Sequence, residues 1–183
     1  MKINHLILLL ALILVSCKEQ EARRPITTSK TYTLASTAKQ LKQINKVEEA
    51  KIQQYIKSDS ISEYISSSSG YWYQYVQKVE DSISTPKKND IVEVSYEILD
   101  LDDNIIYSRE ALGTKEYKID KEDFIPALQQ GIKTMKKGET IKFVIPSYNA
   151  FGVVGDGNKI GINQSIISIV TLINIKEDIQ NEN

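Results

Sequence analysis

The chain of 183 residues has one cysteine, Cys17, and one histidine, His5, both near its start. Beyond Cys17 this excludes a disulfide, a Cys/His zinc site, a Ser-His or Cys-His nucleophile pair and an imidazole acid or base. An excess of one charge is also missing, because 23 basic and 24 acidic residues leave a formal net charge of −1. No overall field is available to hold a nucleic-acid backbone, so nucleic acid is not an expected partner. The content is 41% hydrophobic and 26% charged, which is the balance of a packed domain rather than of a disordered or collagen-like chain. The length suits one compact domain with an appendage.

A membrane-spanning run is absent at the N-terminus as well. The apolar stretch from Leu6 to Val15 is ten residues, short of the roughly 20 that a bilayer core requires. It follows the weakly basic Met1-Lys2-Ile3-Asn4-His5, and that order reads as a secretory signal. Leu14-Val15-Ser16-Cys17 resembles a bacterial lipobox. The resemblance implies that residues 1–16 are a lipoprotein signal peptide and that Cys17 is the lipidated first residue of a mature chain carrying a charge of −2. Two or more acyl chains would hold the protein to a lipid bilayer through Cys17. Lys18 follows, with no aspartate to act as an inner-membrane retention signal, so the expected location in a diderm host is the cell envelope, lipid-anchored at the outer membrane and facing the periplasm.

Residues 17–36 are polar and read as a lipidated tether. A helix is expected from Ser36 or Thr37 to about Lys57, with Leu41, Ile44, Val47, the stem of Lys51 and Tyr55 along one stripe. The stripe suits docking on its own domain or on a second copy, as a homodimer through the N-terminal helix. Residues 59–66 are expected to form a second short helix, ended by the serine run and Gly70, so that 37–67 make a helical extension. One narrow stripe supplies too little for a core of its own, and residues 68–183 are expected to fold alone.

From Tyr71 the texture is strand-like. Tyr71-Trp72-Tyr73-Gln74-Tyr75-Val76 alternates; Val92, Val94, Tyr96 and Ile98 alternate with Glu93, Ser95 and Glu97; Ile141, Phe143 and Ile145 repeat the pattern. Ser165 to Ile175 is apolar on both sides, as in a central strand. One helical signal interrupts them, Pro126 at a first-turn position before Ala127-Leu128-Gln129-Gln130-Gly131. Several antiparallel strands around one short helix make an α+β domain, placed at 68–178 with a polar tail at 179–183.

Five segments in order carry a family resemblance: Ser69-Gly70-Tyr71-Trp72-Tyr73, Asp90 to Tyr96, Ile105-Ile106-Tyr107-Ser108, Phe124 to Gly131 with Met135 to Glu139, and Ile145 to Gly152. Together they resemble the FKBP-type peptidyl-prolyl isomerases, and the spelling looks closest to the gliding-motility-associated FKBP-like lipoproteins of Bacteroidota. The resemblance implies an FKBP-like antiparallel sheet wrapped around one short helix. It implies a pocket lined by Tyr96, Ile106, Phe124, Ile125, Leu128, Phe151 and Ile160, with the Ile125 backbone N–H holding the substrate carbonyl and residues 152–161 as an overhanging loop. Four positions depart from the family pattern: Tyr107 stands where Asp is usual, Leu128 where an indole floor is usual, Phe151 where a tyrosine is usual, and Ser168 where an aromatic is common.

The chemistry needs neither nucleophile nor cofactor. Rotation about X-Pro crosses a barrier of about 18–20 kcal/mol set by amide resonance, and an apolar pocket with a carbonyl donor favours the twisted amide over the planar one. Two readings follow: a membrane-anchored isomerase, weakened by the departures, acting on X-Pro bonds of envelope polypeptides, or an FKBP-like binding module supporting an envelope assembly such as gliding machinery. Other motifs read plainly. Asp100, Asp102 and Asn104 have calcium-loop spacing, but Ile105 fills the glycine position and Ala111 the terminal glutamate, so a hairpin turn is expected. Gly152, Gly155 and Gly157 do not open a helix and so are not a phosphate cradle. Lys133, Lys136, Lys137 and Glu139 read as a solvated turn.

Overall fold

The computed structural model describes residues 34–59, 63–80 and 84–178. The leader, Cys17 and most of the tether lie outside them, as does the tail from 179. In chain order the elements are α1 (Leu34–Ser58), β1 (Ile65–Ser66), β2 (Trp72–Gln77), β3 (Ile91–Leu99), β4 (Ile105–Tyr107), α2 (Arg109–Leu112), β5 (Thr114–Lys118), α3 (Pro126–Ile132), β6 (Thr140–Ile145), a 3-10 turn (Ser147–Asn149) and β7 (Ile166–Lys176). The strands form one antiparallel sheet ordered β1-β2-β6-β7-β3-β4, with β5 also paired to β3. This is the α+β arrangement that the alternating runs and the single proline-led helix imply.

Strand alternation assigns the first core. Val92, Val94, Tyr96 and Ile98 of β3, Ile141, Phe143 and Ile145 of β6, and Ile166, Val170 and Leu172 of β7 face α3, which inserts Ala127, Leu128 and Ile132. Gly131 falls in the last turn of this helix; a Cβ there would sit 2.4 Å from the Phe143 ring, so the glycine lets the helix lie directly on β6.

The second face of the sheet explains why β7 is apolar on both sides. Val144 and Ile167 point away from α3 and are fully buried, with Leu99 nearly so, in one cluster with Ile52 and Tyr55 of α1. The helix is where the sequence puts it, but the buried stripe is different. It runs through Ile44, Glu48, Ile52 and Tyr55, while Leu41 and Val47 are 40% and 49% exposed and Lys51 faces solvent. These positions, Ile44 half-buried and the other three buried, follow i, i+4, i+8 and i+11, a helical stripe that admits a carboxylate in its middle.

Polar bonds fasten this end of the molecule. Lys142 of β6 sits 3.0 Å from the Asp59 carboxylate and 4.9 Å above the Tyr55 ring. Tyr64 donates to Asp59 at 2.7 Å, and Tyr55 donates to Asp103 at 2.8 Å. Desolvation opposes the charge on Lys142, but its bonds to Tyr55 and Asp59 outweigh it and hold the ammonium above its ordinary value. Burial first, then the bond to Asp59, pushes the Tyr64 phenol up.

Two local expectations are corrected. Ile65 and Ser66 pair with Tyr73 and Trp72 as a two-residue strand where a second short helix was expected, with residues 60–62 of that stretch outside the described residues. The 136–139 turn is not simply solvated, because Glu139 is 1% exposed and accepts from the backbone N–H groups of Lys136 and Val79. The Asp100 turn is the expected hairpin: Asp100 Oδ1 accepts from the backbone N–H groups of Asp102 and Asn104 at 2.9 Å each. Among the described residues no acidic or histidine cluster suits a metal, and no helix is long and apolar enough to cross a membrane.

Candidate functional site

An open apolar groove of about 420 Å³ lies at one end of the α3 side of the sheet. Its walls come from five places: Tyr96 and Ile98 on β3, Tyr107 and Leu112 around α2, Lys115 on β5, Asp123 to Pro126 at the start of α3, and Ala150, Phe151 and Asp156 on the long connection from β6 to β7. Strand alternation turns Tyr96 inward, where it is 9% exposed and meets Phe124 edge-on at 5.3 Å between ring centroids. Phe124 also rests against Tyr117 at 5.4 Å. Burial raises the Tyr96 phenol above its ordinary value, so at neutral pH it is an uncharged donor.

Pro126 at the first turn aims the entry to α3 at the groove, since its fixed φ suits that position. Ile125, just before it, is 7% exposed and lines the wall. Opposite, the 152–161 segment folds back on itself. Gly155 at φ +74° is required there, because a Cβ would lie 2.3 Å from the Ile160 carbonyl oxygen.

The loop is tied to β4 by a tyrosine and a carboxylate. The Tyr107 hydroxyl donates to Asp156 Oδ2 at 2.5 Å, and Asp156 Oδ1 accepts from the backbone N–H groups of Asn158 and Ile160 at 2.8 Å each. Desolvation raises the Asp156 carboxyl, but these bonds outweigh it and hold the group below the usual carboxylate range. The same bond pushes the Tyr107 phenol up. Lys159 completes the closure, donating to the Ile106 carbonyl at 3.2 Å with its ammonium 5.0 Å from the Tyr107 ring.

Of the residues expected from the sequence, Tyr96, Tyr107, Phe124, Ile125 and Phe151 meet on the groove surface. Leu128 and Ile160, fully and 97% buried, lie within the core beneath it, and Ile106 packs against that core. Ser168, the fourth departure, does not reach the groove surface: it is fully buried, and its hydroxyl donates to the Glu97 carbonyl at 3.1 Å. Sequence reasoning missed Ile98, Leu112, Lys115, Asp123, Ala150 and Asp156. Ile98 was visible as the next inward position after Tyr96. Lys115 carried no signal, because its role at the wall is to lay its ammonium 5.3 Å from the Phe124 ring. The lining is largely apolar, with Lys115, Asp123 and Asp156 among the wall residues, and so can receive an apolar segment of chain.

Comparison with known proteins fits this geometry. Residues 83–173 match the family model for FKBP-type peptidyl-prolyl cis-trans isomerase. The chain is 33% identical over 107 residues to a probable FKBP-type peptidyl-prolyl cis-trans isomerase FkpA of Neisseria meningitidis serogroup B, covering 58% of this chain and 38% of that protein. The crystal structure of FkpA from Escherichia coli is similar with a TM-score of 0.60 at 28% identity, covering 78% of this chain and 65% of that one. A peptidyl-prolyl cis-trans isomerase from Pseudomonas syringae pv. tomato shares the fold, with a TM-score of 0.58 at 19% identity over 74% of this chain and 96% of that one. The chain thus spans 38% of the Neisseria protein and just under two thirds of the Escherichia coli one. The segment that builds the groove, residues 83–173, is a domain of the FKBP-type peptidyl-prolyl cis-trans isomerase family.

Proposed function

We propose that the chain is a lipid-anchored peptidyl-prolyl cis-trans isomerase and folding helper for envelope polypeptides. The observation that carries this reading is the open groove formed by Tyr96, Phe124, Ile125 and Phe151, apolar enough to take a proline ring. In it the planar, dipolar amide loses solvation relative to the twisted one, and the Ile125 backbone N–H is assigned to hold the carbonyl as it turns. Leu128 in place of a flat indole and Phe151 without a hydroxyl leave fewer fixed contacts, so turnover is weak. A thousandfold acceleration would need about 4 kcal/mol of differential stabilisation.

The location assigned to it is the outer membrane, facing the periplasm, through acylated Cys17, and support of a gliding apparatus is the process its spelling suggests. A protease-free prolyl-peptide assay on residues 18–183 tests the activity. Turnover above buffer that rises in Leu128→Trp/Phe151→Tyr supports it. Wild type equal to buffer, with the double variant also silent, replaces it with the binding-module reading. For the anchor, Cys17→Ser should move the protein out of the membrane fraction; a variant that still pellets with outer membranes after a salt wash removes that part.

A further inference from the structure

One carboxylate links the N-terminal helix to the groove. Glu48 of α1 is 6% exposed and accepts three hydrogen bonds: from the Ser147 backbone N–H at 2.7 Å, from the Ser147 hydroxyl at 2.7 Å and from the Ser165 hydroxyl at 3.0 Å. Ser147 and Ser165 are themselves buried. They stand at the two ends of the connection from β6 to β7, the segment whose middle supplies Ala150, Phe151 and Asp156 to the groove wall.

The segment is closed inside those ends as well. The Ser147 carbonyl accepts from the N–H groups of Ala150 and Gly152, and the Gly152 carbonyl accepts from Asn163. The position of the whole connection therefore depends on where its two serine ends are held. A buried carboxylate is costly unless its oxygens are satisfied, and here the bonds that satisfy it are the bonds that fix the loop ends. The family match begins at residue 83, so Glu48 lies outside the matched segment.

We propose that Glu48 is a positioning residue for the groove, by which α1 sets the place of the 147–165 connection and hence of Phe151 and Asp156. This rests on the isomerase reading for its kinetic consequence, but not for its structural one. Glu48→Gln replaces one acceptor oxygen with an NH2 donor, so the Ser147 hydroxyl has to turn from donor to acceptor and all three bonds lose their charge assistance. The test uses the full chain in detergent micelles, with amide exchange followed by mass spectrometry alongside prolyl-peptide turnover.

The expected result for Glu48→Gln is at least tenfold faster exchange in residues 150–164, unchanged protection in β3, β6 and β7, and kcat/KM lowered about three- to tenfold, as for one or two lost hydrogen bonds. Ser165→Ala, which keeps the carboxylate and the Ser147 bonds, should give a smaller change in the same direction. Glu49→Gln, which alters only an exposed contact to Tyr148, should leave both readouts within twofold. Unchanged exchange in 150–164, or acceleration spread equally over the sheet, overturns the proposal. A wild type without turnover would overturn the isomerase reading instead, and the exchange pattern would still decide the role of Glu48.

Discussion

The two faces of the sheet use the same strands and reach opposite outcomes. On the α3 face the side chains of β3, β6 and β7 are apolar except for the buried Ser168, and at one end the packing stops short, leaving the groove. On the α1 face a smaller apolar cluster is closed over by a helix and ringed by Lys142, Asp59, Tyr55, Tyr64 and Glu48, all bonded. Apolar surface left open costs stability but can receive a ligand. A polar ring spends its bonds on fixing one arrangement, which is what a support for the groove requires.

The largest effect should come from removing the covering element. A chain cut to residues 68–183 exposes Leu99, Val144 and Ile167, fully or nearly buried in the intact protein. Its expected behaviour is loss of cooperative thermal unfolding with dye binding, although the sequence pattern pointed to independent folding. A sharp transition near that of the intact chain would mean that the two faces are energetically independent.

Smaller, and selective, are matched substitutions on the two faces. Ile52→Ala, at a fully buried site, should cost about 2–5 kcal/mol in denaturant unfolding while leaving turnover at low temperature nearly intact. Ile125→Asp places an unpaired carboxylate in the apolar wall and should abolish turnover even in a folded protein. Exchanged outcomes would show that the comparison assigns the faces wrongly.

Smaller again is Tyr107→Phe, which removes the hydroxyl bonded to Asp156. A loss of about 0.5–1.5 kcal/mol corresponds to a three- to tenfold fall in kcat/KM, with the melting temperature nearly unchanged.

The smallest effect at neutral pH is zero. Lys142, Tyr55 and Tyr64 all have folded-state values raised above their ordinary ones. Groups of this kind stabilise fully below their unfolded values and lose that contribution as pH rises through the folded ones. The α1 face should therefore loosen only above about pH 10, read as earlier loss of helix signal than of sheet signal on alkaline titration.

The legibility of these faces differs for a physical reason. Period-two alternation in β3 and unbroken apolarity in β7 report burial directly, and both strands were visible in the sequence. So was α3, through Pro126. The true stripe of α1 was not, since it contains Glu48, whose partners are 99 and 117 residues away; no local pattern reveals a carboxylate buried by distant serines. The strand at Ile65–Ser66 exists only through pairing with β2. In the groove, aromatic and aliphatic walls were readable from the five segments, whereas Asp156 reads as an ordinary loop acid until the fold brings Tyr107 to it.

The margins of the sheet bear on colloidal behaviour. One side ends in β1, only two residues long, and the other in the three-residue β4 and in β5, whose Thr114–Lys118 carries Lys115, Glu116 and Lys118. Short or charged borders offer an incoming strand few unpaired backbone groups in register. Under the proposed function, in which the protein meets unfolded polypeptides rich in extended segments, such borders would keep it from growing sideways into them and would leave the groove, rather than the rim, to bind.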